Sequence, residues 1–174
     1  FNILDDQKLL NKKFQIKIKK NIPQEAGLGG GSMNAANILN FLIKKKFIKL
    51  NQKKILKISS LIGSDVILGI KSNDTILSSK NIIKNFSNNI KFHTLLVKPN
   101  FGCSTKKVYL GVKKFTKPRF NIPKKNMFSL RFLLKQENAL EKIAFLKHPK
   151  LKTIKYFLES LNKPLFVRMT GSGS

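Results

Sequence analysis

Strand and helix patterns both occur along this chain, and they predict a fold that mixes α and β elements. Apolar residues alternate strictly with polar ones over 14–20, which is typical of a half-buried strand. A helical spacing of apolar residues follows, at Met33, Ala36 and Ile43. Between them, four of the ten glycines fall within five positions, 27–31. At 174 residues the chain is long enough for one domain with part of a second.

The same patterns predict the other elements. Residues 1–10 are typical of the tail of a helix, and because no cap precedes them we expect a truncated chain. A helix is predicted from Asn51, with Gly63 as its stop. The remaining predictions are a short strand at 74–79, a turn and hairpin over 82–89, a buried strand over 93–99, an exposed linker over 113–125, a helix over 151–161 and a strand at 166–169.

The glycine-rich stretch has the composition of a phosphate-binding loop. Its backbone can bend sharply and present N–H groups, and the following helix adds the positive end of its dipole. It is not a Walker A loop, because no Gly-Lys-Ser/Thr follows, and the Gly-x-Gly-x-x-Gly spacing is absent. Ser32 is placed to cap the helix that follows. A flexible linker is the alternative for the glycines taken alone.

Residues 23–36 resemble the Pro-x-x-x-Gly-Leu-Gly-(Gly/Ser)-x-Ser-x-x-Ala-Ala signature of the GHMP kinases, whose loop wraps the phosphates of ATP. The resemblance implies a two-domain α+β architecture with the active site in the cleft between domains. Residues 1–90 would belong to a ribosomal-protein-like N-terminal domain and residues 91–174 to a ferredoxin-like C-terminal domain, each incomplete. It also implies ATP and Mg²⁺ as cofactors. The implied ATP-binding residues are Pro23, Gly27, Leu28, Gly29, Gly30, Gly31, Ser32 and Asn34, with Ser32 also the candidate metal ligand.

Asp65 is the candidate catalytic residue. It is one of eight acidic residues and follows Gly63 in an apolar stretch, where a carboxylate is costly without a partner. Locally, it could instead cap a short turn. Residues 61–66 resemble the family's Leu-Gly-Ala/Ser-Asp-Val-Pro segment, with Ile67 in place of the proline. The resemblance implies that Asp65 accepts or orients the proton of a substrate hydroxyl, and that its lysine partner lies in a segment before Phe1.

Two further segments resemble parts of the family that contact the substrate. Thr105 and Tyr109 stand where relatives carry a threonine and, four positions on, an aromatic residue that stacks on cytosine. A core aromatic residue is the alternative for Tyr109. Residues 170–173 resemble a Ser/Thr-Gly-Ser/Thr-Gly loop, which makes Gly171 and Gly173 candidate substrate-binding residues.

A fourth segment, 138–141, is similar to an Asn-Asp-Leu-Glu segment of the family, with Ala139 in place of the aspartate. Together the resemblances imply an ATP-dependent kinase that phosphorylates a hydroxyl of a small cytidine-diphosphate substrate in the non-mevalonate route to isoprenoids. A GHMP kinase acting on mevalonate or homoserine is one alternative. A non-catalytic basic RNA-binding domain is another.

The formal charge of +27 suits nucleic acid or an anionic membrane, but the type of basic residue argues against a nucleic-acid surface. Only three of the 35 basic residues are arginine, the residue that nucleic-acid surfaces favour. Drift in the codon usage of the genome therefore explains the many lysines better than a nucleic-acid surface does. No run of eighteen apolar residues predicts a membrane span. Cys103 is the sole cysteine, which fits a reducing cytoplasm. We therefore expect a cytoplasmic protein, monomeric or homodimeric, without membrane or nucleic-acid partners.

Overall fold

The computed structural model describes residues 1–21, 26–80, 82–87, 91–115, 117–118 and 120–173. The chain forms two compact units. One consists of Phe1–Ile22 and Gly29–Thr75, and the other of Pro23–Leu28 and Ile76–Ser174. The division between residues 90 and 91 stays a prediction.

The first unit is built from helices around a small apolar core. It contains α1 (Asn2–Asp6), α2 (Gly30–Lys44), α3 (Gln52–Ile62) and a short 3₁₀ helix, Val66–Gly69. The core residues are Leu4, Leu39, Leu42, Ile48 and Ile58. Burying one such side chain contributes about 1.5–3 kcal/mol. Apolar packing of one face of α2 therefore orients the helix that begins at the glycine-rich loop.

The chain passes from the first unit to the second within a hairpin, and the second unit adds four α-helices over the described ranges. The strands β1 (Asp74–Leu77) and β2 (Ile83–Phe86) pair with each other. They are followed by α4 (Thr105–Leu110), a 3₁₀ helix (Lys125–Phe128), α5 (Leu130–Leu134), α6 (Glu141–Lys147) and α7 (Pro149–Ser160). The core of this unit consists of Cys103, Val108, Ala144 and Leu151.

The predicted helices are confirmed. The helix after the glycine-rich loop is α2, the helix from Asn51 is α3, and the helix predicted over 151–161 is α7. Asn51 caps α3, since its side chain accepts a hydrogen bond from the N–H of Lys54 at 2.9 Å, and Gly63 ends that helix. The strand at 74–79 is confirmed as β1, and β2 completes the predicted hairpin.

Three strand predictions are wrong within the described part of the chain, those for 14–20, 93–99 and 166–169. The stretch over 93–99 is also not buried, since the side chains of Leu95 and Leu96 are 79% and 63% exposed. Alternation shows which side chains would share a face, but a strand also needs a partner for its N–H and C=O groups. The mixed α and β content is confirmed, with one two-stranded sheet among the described residues.

Candidate phosphate-binding and catalytic site

The glycine-rich loop ends where α2 begins. Gly29 is the N-cap residue of α2, in the left-handed conformation with φ of +63°. The first intrahelical hydrogen bond runs from the N–H of Met33 to the carbonyl oxygen of Gly29, at 2.9 Å. The N–H groups of Gly30, Gly31 and Ser32 precede the first intrahelical donor, so they have no partner within the helix, and no side chain caps the helix. They are therefore available to an anion, which the helix dipole also favours.

The predicted cap at Ser32 is wrong. Ser32 lies inside the first turn of α2, and Gly29 takes the N-cap position. The glycines place the helix start three residues earlier than the apolar spacing indicates, because that spacing begins only at Met33. The Ser32 hydroxyl is therefore free of the capping role that the sequence predicts for it.

The two glycines at the start of α2 face open space. A Cβ atom added to Gly30 or to Gly31 would meet no atom within 4 Å. Neither has a positive φ, so neither packing nor backbone conformation requires glycine here. Glycine inside a helix costs about 0.5–1 kcal/mol relative to alanine. Open space beside N–H groups that no described residue pairs with is the arrangement that a closely approaching phosphate needs.

Asp65 lies just before the Val66–Gly69 3₁₀ helix, as its N-cap residue, but its side chain makes no capping hydrogen bond. The capping role that its position suggests is therefore not observed. The carboxylate accepts a hydrogen bond from the Ser64 hydroxyl at 3.2 Å. Asp65 is exposed, as are Leu61 and Ile62, so the apolar setting expected from the sequence is wrong. Among the described residues no cation forms an ion pair with this carboxylate, so it is open to solvent and to a ligand.

The segment that carries Asp65 packs directly on α2. A Cβ atom on Gly63 would lie 4.0 Å from the Ser32 hydroxyl oxygen, which places the start of this segment beside the first turn of the helix. At the other end, the side-chain amide of Asn40 donates a hydrogen bond to the carbonyl oxygen of Ile70 at 3.0 Å. Gly69 lies against Met33 and Ala36. The first unit thus places Asp65 on a segment fixed against the helix whose N-terminus is open to phosphate.

In the second unit, residues 170–173 form a tight turn. The N–H of Gly173 donates to the carbonyl oxygen of Thr170 at 3.1 Å, and Gly171 and Gly173 have φ of +55° and +88°. The Thr170 hydroxyl donates to the carbonyl oxygen of Gly27 at 3.0 Å. A Cβ on Gly27 would lie 2.7 Å from the Thr170 carbonyl oxygen, so a side chain there would separate the two segments.

Thr105 contacts the same turn. Its hydroxyl shares a hydrogen bond of 2.8 Å with the hydroxyl of Ser172, and the buried Cys103 thiol donates to the Ser172 carbonyl oxygen at 3.3 Å. Tyr109, one turn along α4, is 55% exposed, so the alternative of a core aromatic residue is wrong. The structure brings Thr105 and the two glycines of the turn together and leaves the Tyr109 ring open to solvent.

Comparison with known proteins shows what the chain is similar to. Residues 2–78 match the GHMP kinases N terminal domain. The chain is 58% identical over 173 residues to a protein of Pelagibacter ubique named 4-diphosphocytidyl-2-C-methyl-D-erythritol kinase, with 99% of this chain and 62% of the relative covered. The match and this relative indicate the GHMP kinases as the family that the chain resembles.

Two further relatives carry the same name. One, from Petrotoga mobilis, is 35% identical, with 94% of this chain and 66% of the relative covered. The other, from Fusobacterium nucleatum, is 33% identical, with 98% of this chain and 60% of the relative covered. The chain thus spans about three-fifths of the length of the curated relatives it matches.

The positions of the other predicted ATP-binding residues are as follows. Asn34 is half-buried in the first turns of α2. Leu28 is half-buried at the end of the 26–28 bend. Pro23 lies outside the described residues. No helix over the described ranges is long and apolar enough to cross a membrane, and within those ranges no three His, Cys, Asp or Glu side chains form a metal-binding group.

The sequence assigned no role to Asn138 and Glu141, and the structure gives both one. Asn138 donates to the carbonyl oxygens of Met169 and Gly171, and Glu141 accepts from the N–H of Met169. The similarity of 138–141 to a family segment marked the position, but no local pattern indicates that these side chains reach a backbone about thirty residues away. That contact depends on the tertiary fold.

Replacing Gly69 by alanine is expected to displace the Asp65 segment from α2. The new Cβ would lie 2.8 Å from the Cβ of Ala36 and 2.8 Å from the sulfur of Met33, and the Ala36 methyl group cannot rotate away. Overpacking of this kind costs about 1–3 kcal/mol. We expect a lower free energy of unfolding in urea titrations and a lower kcat for the full-length protein.

Gly63→Ala is the matched control. Its Cβ would have its nearest neighbour at 3.6 Å, an ordinary contact, and the backbone there is extended, which any residue adopts. We expect its unfolding free energy to equal that of the wild type. A Gly69→Ala protein as stable as the Gly63→Ala protein would contradict the close packing of the Asp65 segment on α2.

Proposed function

We propose that the full-length protein transfers the γ-phosphoryl group of ATP to the 2-hydroxyl of 4-diphosphocytidyl-2-C-methyl-D-erythritol, a step of the non-mevalonate route to isoprenoid precursors. The observation that carries the proposal is the start of α2, where Gly30 and Gly31 leave open space beside N–H groups that have no partner among the described residues, and where the Asp65 segment packs on the same helix. The names of the relatives supply the substrate.

The loop binds the phosphates of ATP through its backbone. The N–H groups of Gly30, Gly31 and Ser32 donate to phosphate oxygens, and the positive end of the α2 dipole stabilises their charge. A phosphoryl group is transferred through a transition state whose charge spreads over its outer oxygens, so donors that are already in place lower the barrier.

Asp65 orients the substrate hydroxyl and takes its proton as the oxygen attacks the γ-phosphorus. The hydroxyl oxygen forms the new bond to phosphorus, the bond to the β-phosphate oxygen breaks, and ADP leaves. The carboxylate is suited to this role because it is exposed and accepts only one hydrogen bond, from Ser64, among the described residues. An aspartate already tied into an ion pair would be a weaker acceptor.

Mg²⁺ is proposed to accompany ATP. The oxygen donor that fits this hard cation here is the Ser32 hydroxyl, in the first turn of α2. When bound, the ion neutralises charge on the β- and γ-phosphates. The protein residues contribute few ligands, as is usual for Mg²⁺ that arrives with a nucleotide.

The second unit is proposed to bind the cytidine diphosphate part of the substrate. Tyr109 offers an exposed ring for stacking on the cytosine, and the Thr105 hydroxyl lies close by on α4. Gly171 and Gly173, in the 170–173 turn, bring backbone within reach of the substrate phosphates. For the full-length protein we also propose the two-domain architecture, based on the GHMP kinases N terminal domain match.

The test is a phosphoryl-transfer assay on the full-length protein, with ATP and each of three acceptors. Phosphorylation of 4-diphosphocytidyl-2-C-methyl-D-erythritol, with kcat/KM at least tenfold above that for mevalonate or homoserine, supports the proposal. Transfer to mevalonate or homoserine instead overturns the substrate and keeps the reaction type. Salt-sensitive RNA binding without any ATP binding overturns the kinase function as a whole.

A further inference from the structure

The segment that precedes the 170–173 turn does not pair as a strand among the described residues. Residues 166–169 carry no strand among the described residues, although the sequence predicts one. Without a ladder of hydrogen bonds, the backbone before the turn needs other partners if it is to keep one position. Two side chains from the segment that leads into α6 provide them.

Asn138 holds the backbone on both sides of Thr170. Its side-chain amide donates to the carbonyl oxygen of Met169 at 2.9 Å and to that of Gly171 at 2.7 Å. Its own amide oxygen accepts from the N–H of Leu140 at 2.9 Å. All three contacts require the same orientation of the amide, so the side chain is held in one position as well.

Glu141 holds the same segment through the other backbone group of Met169. The N–H of Met169 donates a hydrogen bond to the carboxylate of Glu141 at 3.2 Å. The carboxylate is fixed in turn by Lys155 of α7, which also lies 3.5 Å from Glu159. Burial alone would lower the pKa of Lys155, but its hydrogen bond to Glu141 and the charges of Glu141 and Glu159 raise that pKa above its ordinary value. Lys155 therefore stays protonated and keeps Glu141 in place.

The far side of the turn is fixed too. The Ser172 hydroxyl is paired with Thr105 and its carbonyl oxygen with Cys103, and Ser172 is 5% exposed. Asn138 and Glu141 thus bond to the backbone on one side of the turn, and Thr105 and Cys103 bond to Ser172 on the other. A turn fixed in this way has its N–H groups already placed before a ligand arrives.

We propose that Asn138 and Glu141 are positioning residues, which set the backbone of 169–171 and through it the turn that binds the phosphoryl acceptor. The proposal rests on the proposed function, since it takes the 170–173 turn as part of the acceptor site. The two side chains do not touch the substrate. They act through hydrogen bonds to three backbone groups, the N–H and C=O of Met169 and the C=O of Gly171.

The test combines steady-state kinetics with amide hydrogen exchange on the full-length protein. Asn138→Asp keeps the shape and the acceptor for Leu140 but removes both donors, and Asn138→Ala removes them without adding a charge that would repel an anionic acceptor. For both we expect the acceptor KM to rise about 30-fold, as for two lost hydrogen bonds, with the KM for ATP unchanged. Gln136→Ala is the control, because the Gln136 side chain bonds only within its own turn, to Phe132.

Glu141 is tested by two variants that separate its roles. Glu141→Gln keeps an oxygen for the Met169 N–H and loses the charge that pairs with Lys155, whereas Glu141→Leu loses both. We expect the glutamine variant to bind the acceptor like the wild type and the leucine variant to show a raised KM. Equal losses in both variants would overturn the role of the Met169 hydrogen bond.

A fall in kcat alone in the Asn138 variants, with every KM unchanged, would indicate a merely structural role and overturn the proposal. Exchange rates separate this result from failure of the proposed function. In the Asn138 variants the N–H groups of Met169 and Gly173 are expected to exchange at least about tenfold faster, while those of α6 keep their rates. Unchanged exchange at 169–173 would overturn the anchoring even if the protein phosphorylated a different acceptor.

Discussion

Replacing Asp65 by asparagine is expected to lower kcat by about 10²–10⁴-fold, the range that a positioned general base contributes. Asparagine keeps the shape of the side chain and an oxygen for the Ser64 hydroxyl, but it cannot take a proton. Because Asp65 is exposed and caps nothing, the free energy of unfolding is expected to stay within about 0.5 kcal/mol of the wild-type value. The measurements are phosphoryl transfer to the cytidine-diphosphate acceptor and thermal unfolding of the same samples.

Asp6→Asn is the matched control for this variant. It removes the same charge from an exposed carboxylate in α1 of the same unit, and we expect it to leave kcat unchanged. The KM for ATP should be similar in all three proteins, since in the proposed function the backbone of the loop binds the nucleotide. An Asp65→Asn protein that kept a tenth or more of the wild-type kcat would show that the proton goes elsewhere.

Replacing Gly31 by alanine is expected to weaken ATP binding strongly while leaving the fold intact or slightly more stable. The methyl group would occupy the open space beside the first N–H groups of α2 and keep a phosphate from approaching. The loss of one hydrogen bond to a charged group, about 1.5–3 kcal/mol, corresponds to an affinity roughly 10–150-fold lower. Alanine in a helical position stabilises by up to about 1 kcal/mol. Calorimetric titration with ATP and thermal unfolding measure the two effects.

Asn37→Ala provides the comparison for this variant. It also raises helix propensity in α2, but at an exposed position beyond the first two turns, where its side chain bonds only back to Met33. We expect its ATP affinity to equal that of the wild type. If Gly31→Ala and Asn37→Ala bound ATP equally well, the start of α2 would not be the phosphate site, and the central observation behind the proposed function would be lost.

Local patterns predicted the helices of this chain well. The apolar spacing of α2 and α3 reflects which side chains can reach a core, and Asn51 and Gly63 act through bonds to neighbouring residues in the sequence. The strands were predicted less well. The hairpin of β1 and β2 is local and was found, whereas 14–20, 93–99 and 166–169 have strand-like patterns without a strand partner among the described residues. Alternation carries no information about a partner distant in the chain.

By itself the sequence indicated the resemblance to the GHMP kinases and the candidate residues, because the glycine-rich loop and the Asp65 segment are short motifs whose residues are neighbours along the chain. Only the tertiary structure decided that Asp65 is exposed and that Gly69 holds its segment against Met33 and Ala36. The structure alone also brought Asn138 and Glu141 to Met169. The physical reason is the same in each case. Exposure, close packing and long-range hydrogen bonds depend on which segments meet in space, and a one-dimensional pattern does not contain that.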